Sequence, residues 1–173
     1  MIVFSNTTPF IALSSIGQLD LLPSIFSKVC VVPEVVEECQ VGGPISVPKL
    51  TSLPWIKQVA SSPEVSSHIL LELDKGEKYT IHTACEHKAD LVIIDEKIGR
   101  NVAEYLGLTV IGTLGVLLNA KKKGLIASFS DCVGEMQNNG LRYHPQLIER
   151  LIRQCGEKTC NLDDSGDEEK GVE

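Results

Sequence analysis

Three groups of acids in the chain are placed to do chemistry: Glu37 with Glu38, Glu77, and Asp95 with Glu96. Each group follows or adjoins a short apolar run, "KVCVV", "ILLEL" and "LVII" respectively. Carboxylates gathered at one mouth repel each other unless a divalent cation lies between them. An all-oxygen donor set with few Cys or His partners favours Mg2+ or Mn2+ over zinc. Such a centre can hold a water as nucleophile and stabilise the charge building on a phosphate, which is the chemistry of phosphodiester hydrolysis. Local structure offers a second role for each acid. Asp74-Lys75-Gly76-Glu77 has the form of a capping box. Asp95 can cap a helix that starts at Glu96. Glu37 and Glu38 suit a solvated helix face. Asn6, at the end of "IVFS", reads as a turn or cap residue. Asn6-Thr7-Thr8 also spells a glycosylation sequon, which a chain without a signal peptide does not present to that machinery.

The elements that must position these groups alternate along the chain. "IVFS" reads as a strand, with Thr7 or Thr8 as N-cap and Pro9 in the first turn of a helix that stops at Gly17. A short helix over "LDLLPSIF", a strand over "KVCVV" and a helix over "PEVVEECQ" follow. "VGGPISVP" is a loop on composition and "WIKQVA" a short strand. "PEVSSHILLEL" reads as a helix, then "DKG" breaks it and "EKYTIHTACEHKA" forms another. "LVIID" is a buried strand, apolar on both faces up to Asp95. The rest alternates again: helix "EKIGRNVAEYLG", strand "LTVIG", helix "TLGVLLNAKKKG" capped by Thr113, then helices over "SDCVGEMQNN" and "HPQLIERLIRQCG". Strands alternating with helices argue for a parallel α/β sheet with crossover helices. Functional groups in such sheets gather beyond the carboxyl ends of the strands. Asn6 and Asp95 both stand at such ends.

The net charge is −7, but Gly156 to Glu173 alone carries −5. A body over residues 1–155 and an acidic, disordered tail over 156–173 are expected. The overall acidity does not suit a duplex-coating nucleic-acid binder. It leaves room for an enzyme that meets RNA through metal ions and a local basic patch. Lys97 and Arg100 follow Asp95 and are placed to meet phosphates. Lys121, Lys122 and Lys123 suit the C-terminal end of a helix dipole. Few aromatics are present, and none is arranged as a base-stacking platform. None of the six cysteines forms a C-x-x-C pair, and incidental or buried thiols are expected. No apolar run approaches the roughly 20 residues that span a bilayer. The first residues lack the parts of a secretory signal, so a cytoplasmic protein is expected.

Three phrases together resemble the PIN domain, in the prokaryotic branch related to VapC-type toxin ribonucleases. They are "IVFSNTTPFIALSSIGQLDLL", "VVPEVVEEC" and "LDKGEKYTIHTACEHKADLVIIDEKIGRNVAEYLGLTVIGTLGVLLNAKKKGLI", in the expected order over most of residues 1–126. The resemblance implies a three-layer α/β/α sandwich with a mostly parallel central sheet. It implies Mg2+- or Mn2+-dependent cleavage of RNA at an acidic cluster, a small antitoxin partner and a homodimer. The family's four catalytic and metal-binding positions fall on Asn6, Glu38, Glu77 and Asp95. Glu37 replaces Glu38 if the helix phase differs; Thr8 matches the hydroxyl beside the first acid; Glu96 is an auxiliary. The departure is Asn6, where the family has aspartate. An amide keeps one carbonyl oxygen as ligand, loses the charge and cannot act as a base. Weakened or lost nuclease activity is therefore expected. The alternative is a catalytically silent PIN fold that binds RNA or an antitoxin. An unrelated doubly wound domain, such as a phosphate-responsive receiver, lacks support. No glycine-rich phosphate loop follows the first strand, and no paired acids end it.

Overall fold

The computed structural model describes residues 1–62, 70 and 72–157. In chain order the elements are β1 (Val3–Ser5), α1 (Thr7–Ser15), α2 (Leu21–Phe26), β2 (Val29–Val31), α3 (Pro33–Val41), a 3-10 turn over Leu50–Ser52, and β3 (Ile56–Gln58). They continue with α4 (Lys75–Glu86), β4 (Leu91–Ile93), α5 (Lys97–Tyr105), β5 (Val110–Ile111), α6 (Thr113–Lys122), α7 (Phe129–Asn138) and α8 (Pro145–Gln154). Each of the five expected strands is present. The expected helix over "PEVSSHILLEL" falls largely outside the described residues, as does the tail beyond residue 157.

The five strands form one parallel sheet in the order β3-β2-β1-β4-β5, flanked by helices in a three-layer α/β/α arrangement. Register pairs Val3 with Leu91, Phe4 with Val92 and Ser5 with Ile93. Crossovers run one way from β1 to β2 and β3, and the other way to β4 and β5. The reversal between β1 and β4 is the topological switch point, where the crossovers leave a crevice outside the carboxyl ends of the strands.

Strands this short hold because they are buried on both faces: Val3, Phe4, Val29, Val31, Val92 and Ile93 are all fully or almost fully covered. Phe10 and Leu13 of α1, Ile81 of α4, Leu117 of α6 and Phe129 of α7 close the core against them. Each such side chain contributes about 1.5–3 kcal/mol by leaving water. α3 packs on α1 and α4, and α4 on α5; α6 packs on α2 and α7, and α7 on α8. Among the described residues no helix is long and apolar enough to cross a membrane. Cys30, Cys39, Cys85, Cys132 and Cys155 are free thiols.

The helix stops follow the sequence signals, the starts less so. Gly17 and Gly107 end α1 and α5 with φ of 63° and 85°, a conformation that favours glycine. Asp74 caps α4 as expected, accepting the Glu77 N–H at 2.8 Å. The cap position of α1, however, is Asn6, and its side chain makes no capping bond. Thr7 and Thr8 lie inside the helix with their hydroxyls turned elsewhere. α6 starts from Gly112, with Thr113 as its first residue. The packed body also reaches past residue 155. The Glu157 carboxylate accepts the N–H groups of Phe129 and Ser130 at 2.7 and 2.9 Å and the Ser130 hydroxyl at 2.7 Å, and Lys121 Nζ lies 3.0 Å away. Burial works against that charge, but these donors outweigh it and hold the group down at about 2.

Candidate functional site

The switch point between β1 and β4 is extended by one further rung, the Asn6 N–H donating to the Ile93 carbonyl at 3.2 Å. That rung sets Asn6 beside the turn that carries Asp95 and Glu96. Asn6 is only 2 % exposed. Its Nδ2 donates to Glu96 Oε2 at 3.2 Å, and its Oδ1 has no hydrogen-bond partner among the described residues. The next two residues also donate outward. Thr7 Oγ1 donates to Glu38 Oε2, and Thr8 Oγ1 donates to Glu96 Oε1 at 2.6 Å. The knot Asn6-Thr7-Thr8 is therefore a row of three donors aimed at two carboxylates, and that is why neither threonine caps α1.

Glu38 comes from α3, whose buried positions Glu34, Val35, Val36 and Cys39 fix the helix phase. Its Oε1 accepts the Gly76 N–H at 2.8 Å, in the first turn of α4, where the helix dipole favours a negative charge. Glu37 points away; its side chain is 69 % exposed and lies 3.8 Å from Lys75. Between the two phases the structure thus brings Glu38, not Glu37, to the crevice. Glu34, one turn earlier, was not singled out by its sequence context. It is buried, accepts from Ser61 Oγ at 3.0 Å, and leaves Oε2 without a partner among the described residues.

Glu77 is 5 % exposed, and its Oε1 has no partner among the described residues. Burial first, then the charges of Asp74, Glu96 and Glu38, push its carboxyl up to about 8. Half of the capping box is therefore realised: the Asp74 side chain caps the helix, while the Glu77 side chain turns to the other acids.

Asp95 behaves differently from its neighbour. Its Oδ1 accepts the Thr113 N–H and its Oδ2 the Thr113 hydroxyl, both at 2.6 Å. It caps α6, a helix that begins 18 residues later, rather than α5. Burial raises its carboxyl above the usual range, opposed by the two Thr113 bonds and by Arg100. Arg100 is spent locally as well, donating from Nη1 to the Ile94 carbonyl at 3.1 Å. Lys97 is exposed at the start of α5. Tyr143, from the α7–α8 connection, lies on the same side; burial, then the charges of Asp95 and Glu96, push its hydroxyl up. Sequence offered no signal for it.

Of the residues expected at the site, the structure brings Asn6, Thr8 and Glu96 into direct contact and adds Glu38 through Thr7. Glu77 joins them through the charges it feels, and Asp95 is engaged with Thr113. Three glycines stand against three of these carboxylates. A β-carbon on Gly76 would overlap Glu38, one on Gly99 would lie 2.6 Å from Glu77 Oε1, and one on Gly112 would lie 2.8 Å from Asp95 Oδ1.

Among the described residues no group of three or more His, Cys, Asp or Glu side chains is placed to hold a metal ion as the side chains stand. The donor chemistry nevertheless fits a hard divalent cation. Every donor is oxygen, and two buried oxygens, Asn6 Oδ1 and Glu77 Oε1, are unpartnered among the described residues.

Comparison with known proteins agrees with the fold. No curated protein sequence matches the chain. Among solved structures, a PilT N-terminus domain protein from the hyperthermophilic archaeon Sulfolobus solfataricus P2 superposes with a TM-score of 0.54 at 18 % identity, covering 83 % of this chain and 98 % of that one. PIN domains in general bind divalent metals and act on RNA. A family model described as PIN domain matches residues 2–157, nearly the whole of the described body, and the chain belongs to that family.

Proposed function

We propose that the chain is a Mg2+- or Mn2+-dependent endoribonuclease of PIN type whose activity is weakened or lost through Asn6. The observation that carries the reading is Glu77. A carboxyl buried among Glu38, Glu96 and Asp74, with an oxygen left unpartnered among the described residues, keeps its proton at neutral pH unless a cation beside it favours the charged form. Glu77, Glu96, Glu38 and the Asn6 carbonyl oxygen would hold that ion. When bound, it supplies activation of a water and stabilisation of charge on the scissile phosphate.

The chain's own residues do the rest. The Thr7 and Thr8 hydroxyls orient Glu38 and Glu96, and the Gly76 N–H fixes the other oxygen of Glu38. Asn6 orients Glu96 but cannot take a proton, which is the origin of the attenuation. Lys97, exposed next to Glu96, meets the RNA backbone. Asp95 and Arg100, both tied to nearby backbone, act as struts that hold α6 and the β4 turn.

A toxin–antitoxin pairing and a homodimer belong to the same reading. The first is supported by the resemblance of the sequence alone. The second is supported by an apolar stripe on α5, where Ile98 is 62 % and Tyr105 77 % exposed, two turns apart. The free thiols suit a cytoplasmic, reducing compartment. A second reading, a PIN fold that binds RNA or an antitoxin without cutting, is favoured by the Asn6–Glu96 hydrogen bond, which satisfies Glu96 with no cation.

Paired alanine variants separate ligand from strut. Glu96→Ala is expected to abolish Mn2+ binding in calorimetry and to cost less stability in chelator than Asp95→Ala, since the acceptor lost to the Asn6 amide is offset by removing a charge that bears on Glu77. Asp95→Ala is expected to lose about 1–3 kcal/mol of unfolding free energy, the cost of stripping a buried N–H and hydroxyl of their acceptor, while Mn2+ binding survives. The opposite pattern returns the ligand role to Asp95.

A further inference from the structure

Gly76 and Gly99 occupy the first turns of α4 and α5. Neither has the positive φ that would call for glycine, and alanine is the better helix former. Space accounts for them. A β-carbon on Gly99 would lie 2.6 Å from Glu77 Oε1 and 3.0 Å from Glu77 Cδ. One on Gly76 would lie 2.7 Å from Glu38 Oε1 and 2.8 Å from Glu38 Cδ. Gly134, within α7, is the contrast: nothing lies within 4 Å of its absent side chain.

We infer that Gly76 and Gly99 are positioning residues for the acidic centre, each leaving out the single carbon that would displace Glu38 or Glu77. The backbone N–H at 76, which any residue but proline would supply, also donates to the carboxylate that the glycine admits. Gly112 repeats the device at Asp95, where it serves the clamp on Thr113. The functional half of this inference rests on the metal-centre reading above; the geometric half does not.

The test uses Gly76→Ala, Gly99→Ala and, as control, Gly134→Ala in the full chain. Gly134→Ala is expected to melt at or above wild type, because the helix gains alanine in open space. Gly76→Ala and Gly99→Ala are expected to stay folded, because the closest clash falls on a carboxylate that can turn and, beside Gly99, Ile94 Cγ2 at 3.2 Å need give only a few tenths of an ångström. In metal-free crystal structures Glu38 in the first variant and Glu77 in the second are expected to move by roughly 0.7 Å, enough to restore an ordinary carbon–oxygen separation. Calorimetry with Mn2+ alone is expected to show affinity lowered roughly 10-fold or more in these two and unchanged in Gly134→Ala. Carboxylates that stay in place overturn the inference. So does a variant that unfolds, or a displaced carboxylate with wild-type Mn2+ affinity. A wild type that binds no Mn2+ overturns the metal-centre reading instead, and the metal-free structures then still decide whether the glycines place the acids.

Discussion

Asn6→Asp is expected to raise Mn2+-dependent RNA cleavage by roughly 100-fold or more, the scale of a positioned acid–base group, while making the metal-free protein less stable. Both effects follow from one atom. Asn6 is 2 % exposed, and its Nδ2 donates to Glu96 Oε2 at 3.2 Å. Aspartate has nothing to donate, so the bond is replaced by two carboxylates facing each other. The loss is expected to be about 1–3 kcal/mol, read from urea unfolding in the presence of chelator. Added Mn2+ reverses the sign, because an ion that binds only the native state stabilises it in proportion to its affinity. The variant should therefore show a larger Mn2+-induced rise in melting temperature than wild type. Asn6 thus exchanges charge at the centre for stability without metal. RNA binding that persists with no cleavage, even with aspartate at position 6, would favour the silent RNA-binding reading.

Glu77→Gln is expected to have the second-largest effect, and it appears as a change in pH dependence. The Glu77 carboxyl is raised from an ordinary 4.5 to about 8 in the folded protein. Between those values the native state holds a proton that the unfolded chain has released. Stability of the metal-free protein therefore falls as pH rises from about 4.5 to 8 and levels off beyond, by at most about 1.4 kcal/mol per pH unit. Glutamine carries no such proton. The variant should show a flatter profile in this window and exceed wild type at pH 8 by roughly 2–4 kcal/mol, an upper range for a group this buried. Its Mn2+ binding should be lost. In wild type, Mn2+ must displace the proton, so affinity should climb toward pH 8 and protons should be released on binding. An identical pH profile in wild type and Glu77→Gln would remove Glu77 from the centre.

The fold was legible because its signals are local. "LVIID" is apolar on both faces, so it reads as an interior parallel strand, and it is β4, paired between β1 and β5. Gly17 and Gly107 announce helix ends that only a left-handed residue closes so simply. The site was legible only in outline. Asn6, Glu77 and the Asp95–Glu96 turn could be placed at strand ends or helix starts, but which of two adjacent acids faces the crevice is a tertiary matter. Asp95 is claimed by Thr113, which leaves Glu96 for Asn6 and Thr8. Nothing within a few residues of Asp95 announces that competition. Thr7 and Thr8 have the pattern of caps, yet carboxylates from α3 and the β4 turn outbid the backbone for their hydroxyls. Glu38 was separable from Glu37 only once the buried face of α3 was known. Gly76 reads in sequence as part of the break "DKG" and Gly99 as an ordinary position of a helix; only the fold sets carboxylates against them.

Anomalous scattering from crystals soaked in Mn2+ addresses the central assignment most directly. The expected result is a manganese peak ligated by Glu77 and Glu96, with Glu38 and the Asn6 carbonyl oxygen on its near side and the Asp95–Thr113 bonds intact. A peak on Asp95 with those bonds broken, or no peak in this crevice at saturating Mn2+, would contradict it.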